Sequence, residues 1–141
     1  MALLPLSRRP RPRRRSAIVL ATAAGVLAAT LTACGDSEPR DLLADIRAGS
    51  VVLGTKFDQP GLGLRNPGGA ITGFDASVST YVVEYLADKM GVPTPEITWK
   101  ETPSAQRETF IRNGEVATIA ATYSITENRM KDVAFAGPYF I

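Results

Sequence analysis

Residues 113–129 read Asn113-Gly114-Glu115-Val116-Ala117-Thr118-Ile119-Ala120-Ala121-Thr122-Tyr123-Ser124-Ile125-Thr126-Glu127-Asn128-Arg129, and this stretch decides the fold. An Asn-Gly break is followed by the apolar run Val116 to Ala121 and then by a hydroxyl-rich turn. That order predicts a strand running through the turn into a helix start at Thr126. Backbone N–H groups at a helix start have no partner within the helix and carry partial positive charge. Together with nearby hydroxyls and Arg129 one turn in, they point to a trap for a carboxylate, whose two oxygens an Arg fork can grip at once. From spacing alone the same residues also fit a bland reading, in which Thr126 caps the backbone and Arg129 is a solvated surface charge.

Working outward, Asp41 to Ala48 reads as a short helix with Leu42, Leu43 and Ile46 on one side, stopped at Gly49. Val51-Val52-Leu53 is an apolar run without alternation, as expected of a strand covered on both faces. The Pro- and Gly-rich segment Asp58 to Gly69 is expected to be a loop, and Ile71 to Gly73 a short strand entering a helix capped by Asp75. Along that helix Val78, Val82, Tyr85, Leu86 and Met90 form the expected core stripe, ending at Gly91. Ile97-Thr98-Trp99 is the next strand, and Thr102-Pro103 offers a cap and first residue for a helix through Phe110 and Ile111. Alternation of β and α predicts an α/β fold with a mainly parallel sheet and helices on both sides.

Several segments in order resemble the extracellular solute-binding proteins of family 3, the polar amino-acid receptors of ABC importers. They are V-V-L-G-T-K from Val51, I-T-G-F-D from Ile71, N-G-E-V-A from Asn113, A-T-Y-S-I-T-E-N-R from Ala121 and V-A-F-A-G-P-Y from Val133. The run G-T-K-F-D-Q-P-G-L-G-L-R-N-P-G-G from Gly54 looks like the glutamate-binding branch. The resemblance implies the first lobe of a two-lobe, type II periplasmic-binding fold over residues 41–141, with the second lobe absent from the chain. It implies Arg129 as the clamp on the ligand's α-carboxylate, assisted by the hydroxyl and N–H of Ser124 and by backbone donors near Thr122. Lys56, and with it Arg65, becomes the candidate cation for a second, distal carboxylate, favouring glutamate or aspartate over glutamine. Phe57 and Tyr123 could wall the ligand's methylenes. Ser77, Ala117 and Ala134 stand where the family usually shows Asp, which removes polar contacts that brace the lobe.

Before this domain the chain carries Arg8, Arg9, Arg11, Arg13, Arg14 and Arg15, then 18 uncharged residues, Ser16 to Ala33. A basic segment, an apolar segment and small residues describe a secretory signal, and 18 residues rich in Ala and Thr are marginal for a spanning helix. Residues 1–33 are thus expected to be a signal peptide exported by the Sec route. Leu31-Thr32-Ala33-Cys34 resembles a lipobox, which implies that Cys34, the only cysteine, is lipidated and that residues 34–40 tether the domain to the outer face of the cell membrane. Sixteen Lys plus Arg stand against fourteen Asp plus Glu in the whole chain; without the six signal arginines ten remain, a net charge of −4. Nothing then argues for nucleic acid. No cofactor is expected, and with no His in the chain a zinc site is improbable. After a cut before Cys34, 108 residues remain, enough for one small domain, so the chain reads as an incomplete member of the family.

The expected role is therefore a lipid-anchored receptor that captures an amino acid by hinge closure and hands it to a permease driven by an ATPase subunit. It is not expected to be an enzyme. A secreted dehydratase of a cyclic acid on the same scaffold is the alternative, and a sensor ectodomain a third. One lobe by itself is expected to bind ligand too weakly to serve as a receptor, because its charges stay solvated.

Overall fold

A computed structural model of the protein describes residues 38–139. The expected signal peptide, the expected lipidation of Cys34 and most of the expected tether lie outside the described residues. Helix α1 spans Leu42–Ala48. Asp41 caps it, its carboxylate accepting from the Leu43 N–H at 2.8 Å and the Ala44 N–H at 3.3 Å, and Gly49 closes it at φ 84°. Both boundaries match the sequence expectation.

Strand β1, Ser50–Thr55, is the centre of a three-stranded parallel sheet. On one side lies β5, Glu96–Glu101, with Leu53 opposite Trp99; on the other lies β6, Thr118–Ile119, with Leu53 opposite Thr118. Val51 and Leu53 are fully buried against Ile46 of α1 and against Val83 and Ala87 of helix α2, Phe74–Met90. Each large side chain removed from water there contributes roughly 1.5–3 kcal/mol. The apolar run of β1 is therefore legible as the core strand.

Helix α2 departs from its expected orientation. Its buried residues are Asp75, Ala76, Ser79, Val83 and Ala87. Leu86 and Met90 pack at the margin of the core, while Val82 and Tyr85 are exposed. The buried row at 75, 79, 83 and 87 carries small residues, which allow helix and sheet to approach closely while the larger side chains flank the contact. Asp75 is not the cap. Gly73 holds that position at φ 124°, and a Cβ there would fall 2.2 Å from the Leu62 carbonyl oxygen, so no other residue fits without moving the backbone.

Residues 58–72 are also more ordered than a loop. Short strands β2 (Asp58–Gln59), β3 (Gly63–Arg65) and β4 (Ile71–Thr72) pair antiparallel, Leu64 opposite both Asp58 and Thr72. The Gly and Pro residues form the turns between strands too short for a propensity signal.

Helix α3 begins at Arg107 and ends at Arg112, four residues later than Thr102-Pro103 suggested. Thr102 instead prolongs the parallel ladder, its N–H donating to the Thr55 carbonyl at 2.8 Å and its buried hydroxyl donating to the same oxygen at 3.1 Å. A backbone group already bonded to a strand cannot open a helix.

Candidate functional site

The 121–129 segment is not a strand feeding an α-helix. Strand β6 stops at Ile119, residues 123–126 are irregular, and one 3-10 turn follows at Arg129–Lys131. Of the expected cap a single bond survives, from the Arg129 N–H to the Thr126 hydroxyl at 3.3 Å. The anion-attracting helix N-terminus therefore drops out, and the side chains carry the site.

Arg129 is held on three sides. Its Nη1 donates to the Ser124 carbonyl at 2.8 Å, its Nε lies 3.3 Å from Glu108 Oε1, and its Cζ sits 4.8 Å from the centre of the Tyr123 ring. The Arg129 side chain retains 29% exposure and that of Glu108 20%. Nη2 donates no hydrogen bond to a described residue.

Tyr123 is the hub of this cluster. Its ring packs edge-on against Phe135 at 5.0 Å and also meets the guanidinium of Arg107 at 5.0 Å. The hydroxyl is buried, and its approach to the Glu108 carboxylate is looser than a standard hydrogen bond. Burial, then the Glu108 contact, pushes the phenol up to about 12, and the same contact is the main reason Glu108 titrates below the ordinary carboxylate range. Arg107, only 2% exposed, donates from Nε to the Thr102 carbonyl at 3.4 Å. Desolvation, followed by repulsion from Arg129, lowers its affinity for a proton.

Thr122 is held differently from expectation. It adopts a left-handed φ of 47°, and its N–H is not free for a ligand but donates to Asp75 Oδ2 at 3.0 Å. The other Asp75 oxygen accepts from the Tyr139 hydroxyl at 2.9 Å. One buried carboxylate thus ties the start of α2 to the site loop and to the segment after Gly137. The Thr122 hydroxyl lies 3.2 Å from Gln59 Oε1, which brings β2 alongside the loop.

Lys56, in the link between β1 and β2, and Arg65, at the end of β3, make no ion pair or hydrogen bond to Ser124 or Arg129 among the described residues. Lys56 pairs with Asp58 at 3.2 Å, its side chain 20% exposed. Arg65 stacks on Phe57, 4.0 Å from the ring centre, so Phe57 serves as a platform for a cation. A groove of about 340 Å³ lies elsewhere, between Thr72, Ala76, Thr80, Tyr81 and Trp99, and contains none of the candidate residues.

The sequence marked Asp75 only as a helix cap and did not single out Arg107 or Glu108. The one available signal was the four-residue spacing of Asp75 with Ser79, Val83 and Ala87, which places it on the buried face; Arg107 and Glu108 stand among other charges on a short helix and carry no local mark.

Known proteins share this arrangement of elements. The glutamate-binding protein GluB of Corynebacterium efficiens is 58% identical over 126 residues, 88% of this chain and 43% of GluB. The glutamine-binding protein GlnH of Bacillus subtilis is 34% identical over 127 residues, 88% of this chain and 44% of GlnH. The chain thus spans less than half the length of these relatives. Among solved structures, the solute receptor for L-cysteine of Neisseria gonorrhoeae matches with a TM-score of 0.62 at 28% identity, over 71% of this chain and 39% of that one. The arginine-bound form of domain 1 from TmArgBP shares the fold with a TM-score of 0.59 at 24% identity, over 70% of this chain and 71% of that one. The α/β architecture is therefore that of one lobe of an amino-acid receptor. The family model for bacterial extracellular solute-binding proteins, family 3, matches residues 51–141, from the core strand to the end of the chain, and to that family the chain belongs.

Proposed function

We propose that this chain is the first lobe of a receptor that captures an acidic amino acid, glutamate or aspartate, outside the cytoplasm and delivers it to an ABC permease. The observation that carries the reading is Arg129, a partly buried guanidinium braced on three sides whose Nη2 donates to no described residue. Such a fork suits an α-carboxylate. The glutamate-binding name of the 58% identical relative supports the choice of ligand, and so do two cations near the β2 strand that flanks Thr122, Lys56 just before it and Arg65 on β3. The Lys56–Asp58 pair is no obstacle. Asp58 is 65% exposed, and a pair so close to water is worth little, leaving Lys56 free to turn to a ligand.

A binding role suits the electrostatics better than catalysis. A general acid or base working near neutral pH needs a carboxyl raised towards 7, whereas Glu108 is shifted the other way. In the proposed cycle a second lobe closes over the ligand by hinge motion and excludes water, and no cofactor takes part. The single lobe is accordingly proposed to bind weakly, with Kd on the order of 0.1–1 mM, since association must first offset lost translational freedom.

Titration calorimetry of the purified protein against glutamate, aspartate and glutamine tests this reading. Glutamate or aspartate should bind better than glutamine, and Lys56→Gln should narrow the gap by about 1 kcal/mol, or roughly fivefold. Equal affinity for glutamate and glutamine would move the assignment to the ligand of the Bacillus subtilis relative, and binding of neither would end it. We also propose export and anchoring through lipidated Cys34. Cys34→Ala should shift the protein from the membrane fraction to the medium, and retention of an uncleaved, membrane-bound product would refute the lipid anchor.

A further inference from the structure

We propose that Glu108 is a positioning residue, whose carboxylate fixes the Arg129 guanidinium with its Nη2 edge turned to the ligand. The inference rests on the reading of Arg129 as a carboxylate clamp. It assigns a task to a charge that otherwise has no reason to stand beside an anion-binding group, because a bare carboxylate near an incoming carboxylate repels it.

Three observations carry it. Glu108 Oε1 lies 3.3 Å from Arg129 Nε, so the carboxylate occupies the side edge of the guanidinium. The Ser124 carbonyl takes Nη1 at 2.8 Å, and the Tyr123 ring covers the plane at 4.8 Å. Three restraints in different directions leave one orientation. A free Arg side chain loses rotamer entropy when it is fixed, and restraining it before the ligand arrives removes part of that cost from binding.

Glu108 is itself restrained. It sits in the first turn of α3, and the buried Tyr123 hydroxyl approaches its carboxylate. That approach is the largest of the influences that lower the carboxyl below its ordinary value. The other charged groups facing it are Arg129 and Arg107, both of which also favour the ionised form. A competing arrangement, in which Glu108 acts as an internal surrogate ligand that must leave before a substrate binds, is disfavoured because Nη2 donates to no described residue with Glu108 in place.

The test has a ligand-free arm and a ligand arm. In the free protein, the Arg129 Nε–H resonance should report a restrained side chain that becomes rotationally averaged in Glu108→Ala and stays restrained in Glu108→Gln, whose side chain keeps the size of the carboxylate and a polar oxygen in its place. With ligand, Glu108→Ala should weaken glutamate at least tenfold and change the α-carboxamide of glutamate less than twofold, while Glu108→Gln recovers to within threefold of the parent. Tighter glutamate binding by Glu108→Ala would make Glu108 a competitor and overturn the proposal. Equal weakening of both ligands would reduce it to a folding role, and an unchanged Nε–H signal in Glu108→Ala would show that it restrains nothing. If Arg129→Ala leaves glutamate affinity intact while the Nε–H arm behaves as expected, the clamp reading fails and the positioning geometry stands without a ligand to serve.

Discussion

Asp75→Ala is expected to lower the stability of the lobe by about 3 to 6 kcal/mol, because hydrogen bonds to a charged partner contribute roughly 1.5–3 kcal/mol each and two are lost. The buried carboxylate accepts from the Thr122 N–H at 3.0 Å and from the Tyr139 hydroxyl at 2.9 Å. Neither donor has a replacement in view. Thr122 already bears a left-handed φ of 47°, a conformation that a non-glycine residue keeps only when its surroundings impose it. Removing Asp75 also strips a negative charge from the neighbourhood of buried Arg107, whose positive form that charge supports.

Urea denaturation should reveal the loss directly. With a slope of about 1–3 kcal/mol/M, the midpoint should fall by more than about 1 M, which is a large share of the total for a domain of this size. Tyr139→Phe should cost only about 1.5–3 kcal/mol, since it removes one of the two bonds and keeps the ring contact with Phe74 at 5.9 Å. Asp75→Asn should fall between, because its amide can accept from one donor and turns its own N–H₂ towards the other. A midpoint shift below about 0.3 M for Asp75→Ala would mean that water replaces the carboxylate and that the site loop is not tied to α2.

The same residue illustrates what could be read in the chain beforehand. Where one element's pattern settles its own burial, as with Val51 and Leu53 in a run without alternation, or Asp41 and Gly49 bracketing an apolar stripe, sequence and structure agree. The long helix α2 was legible in extent but not in orientation. Tyr85 and Val82 are large enough to suggest a core face, yet close packing on a sheet selects Ala76, Ser79 and Ala87. That choice depends on the distance between helix and sheet, which no local pattern encodes. Thr102 and Asp75 fail for a related reason: both are good helix caps by type, and both are spent on partners 47 residues away. Arg129 and Tyr123 stood in a recognisable segment, whereas Glu108 and Arg107 join the site only because α3 packs beside β6. Sites assembled from separate elements are legible in the part that lies on one segment.

Arg129→Ala is expected to weaken amino-acid binding by about 2 to 3 kcal/mol, or roughly 30- to 150-fold, the cost of losing charge-assisted hydrogen bonds to a carboxylate. The side chain keeps 29% exposure, so water screens it in the open lobe and places the loss at the lower end; a second lobe closing over it would raise the cost. Arg129→Lys separates charge from geometry. A lysine supplies a point charge without the planar fork, and it cannot meet Ser124 O, Glu108 and a ligand in one plane, so it should recover less than half of the lost free energy. The truncation also leaves Glu108 with Arg107 as its remaining cationic neighbour, and its proton affinity should rise towards the ordinary range. Circular dichroism of the variant must therefore accompany the titration. The Tyr123–Phe135 contact at 5.0 Å and the core around Leu53 do not involve the guanidinium, and the fold should persist. A folded Arg129→Ala protein that binds glutamate within threefold of the parent would place Arg129 among ordinary surface charges and transfer the carboxylate to another donor, of which Lys56 is the first to examine.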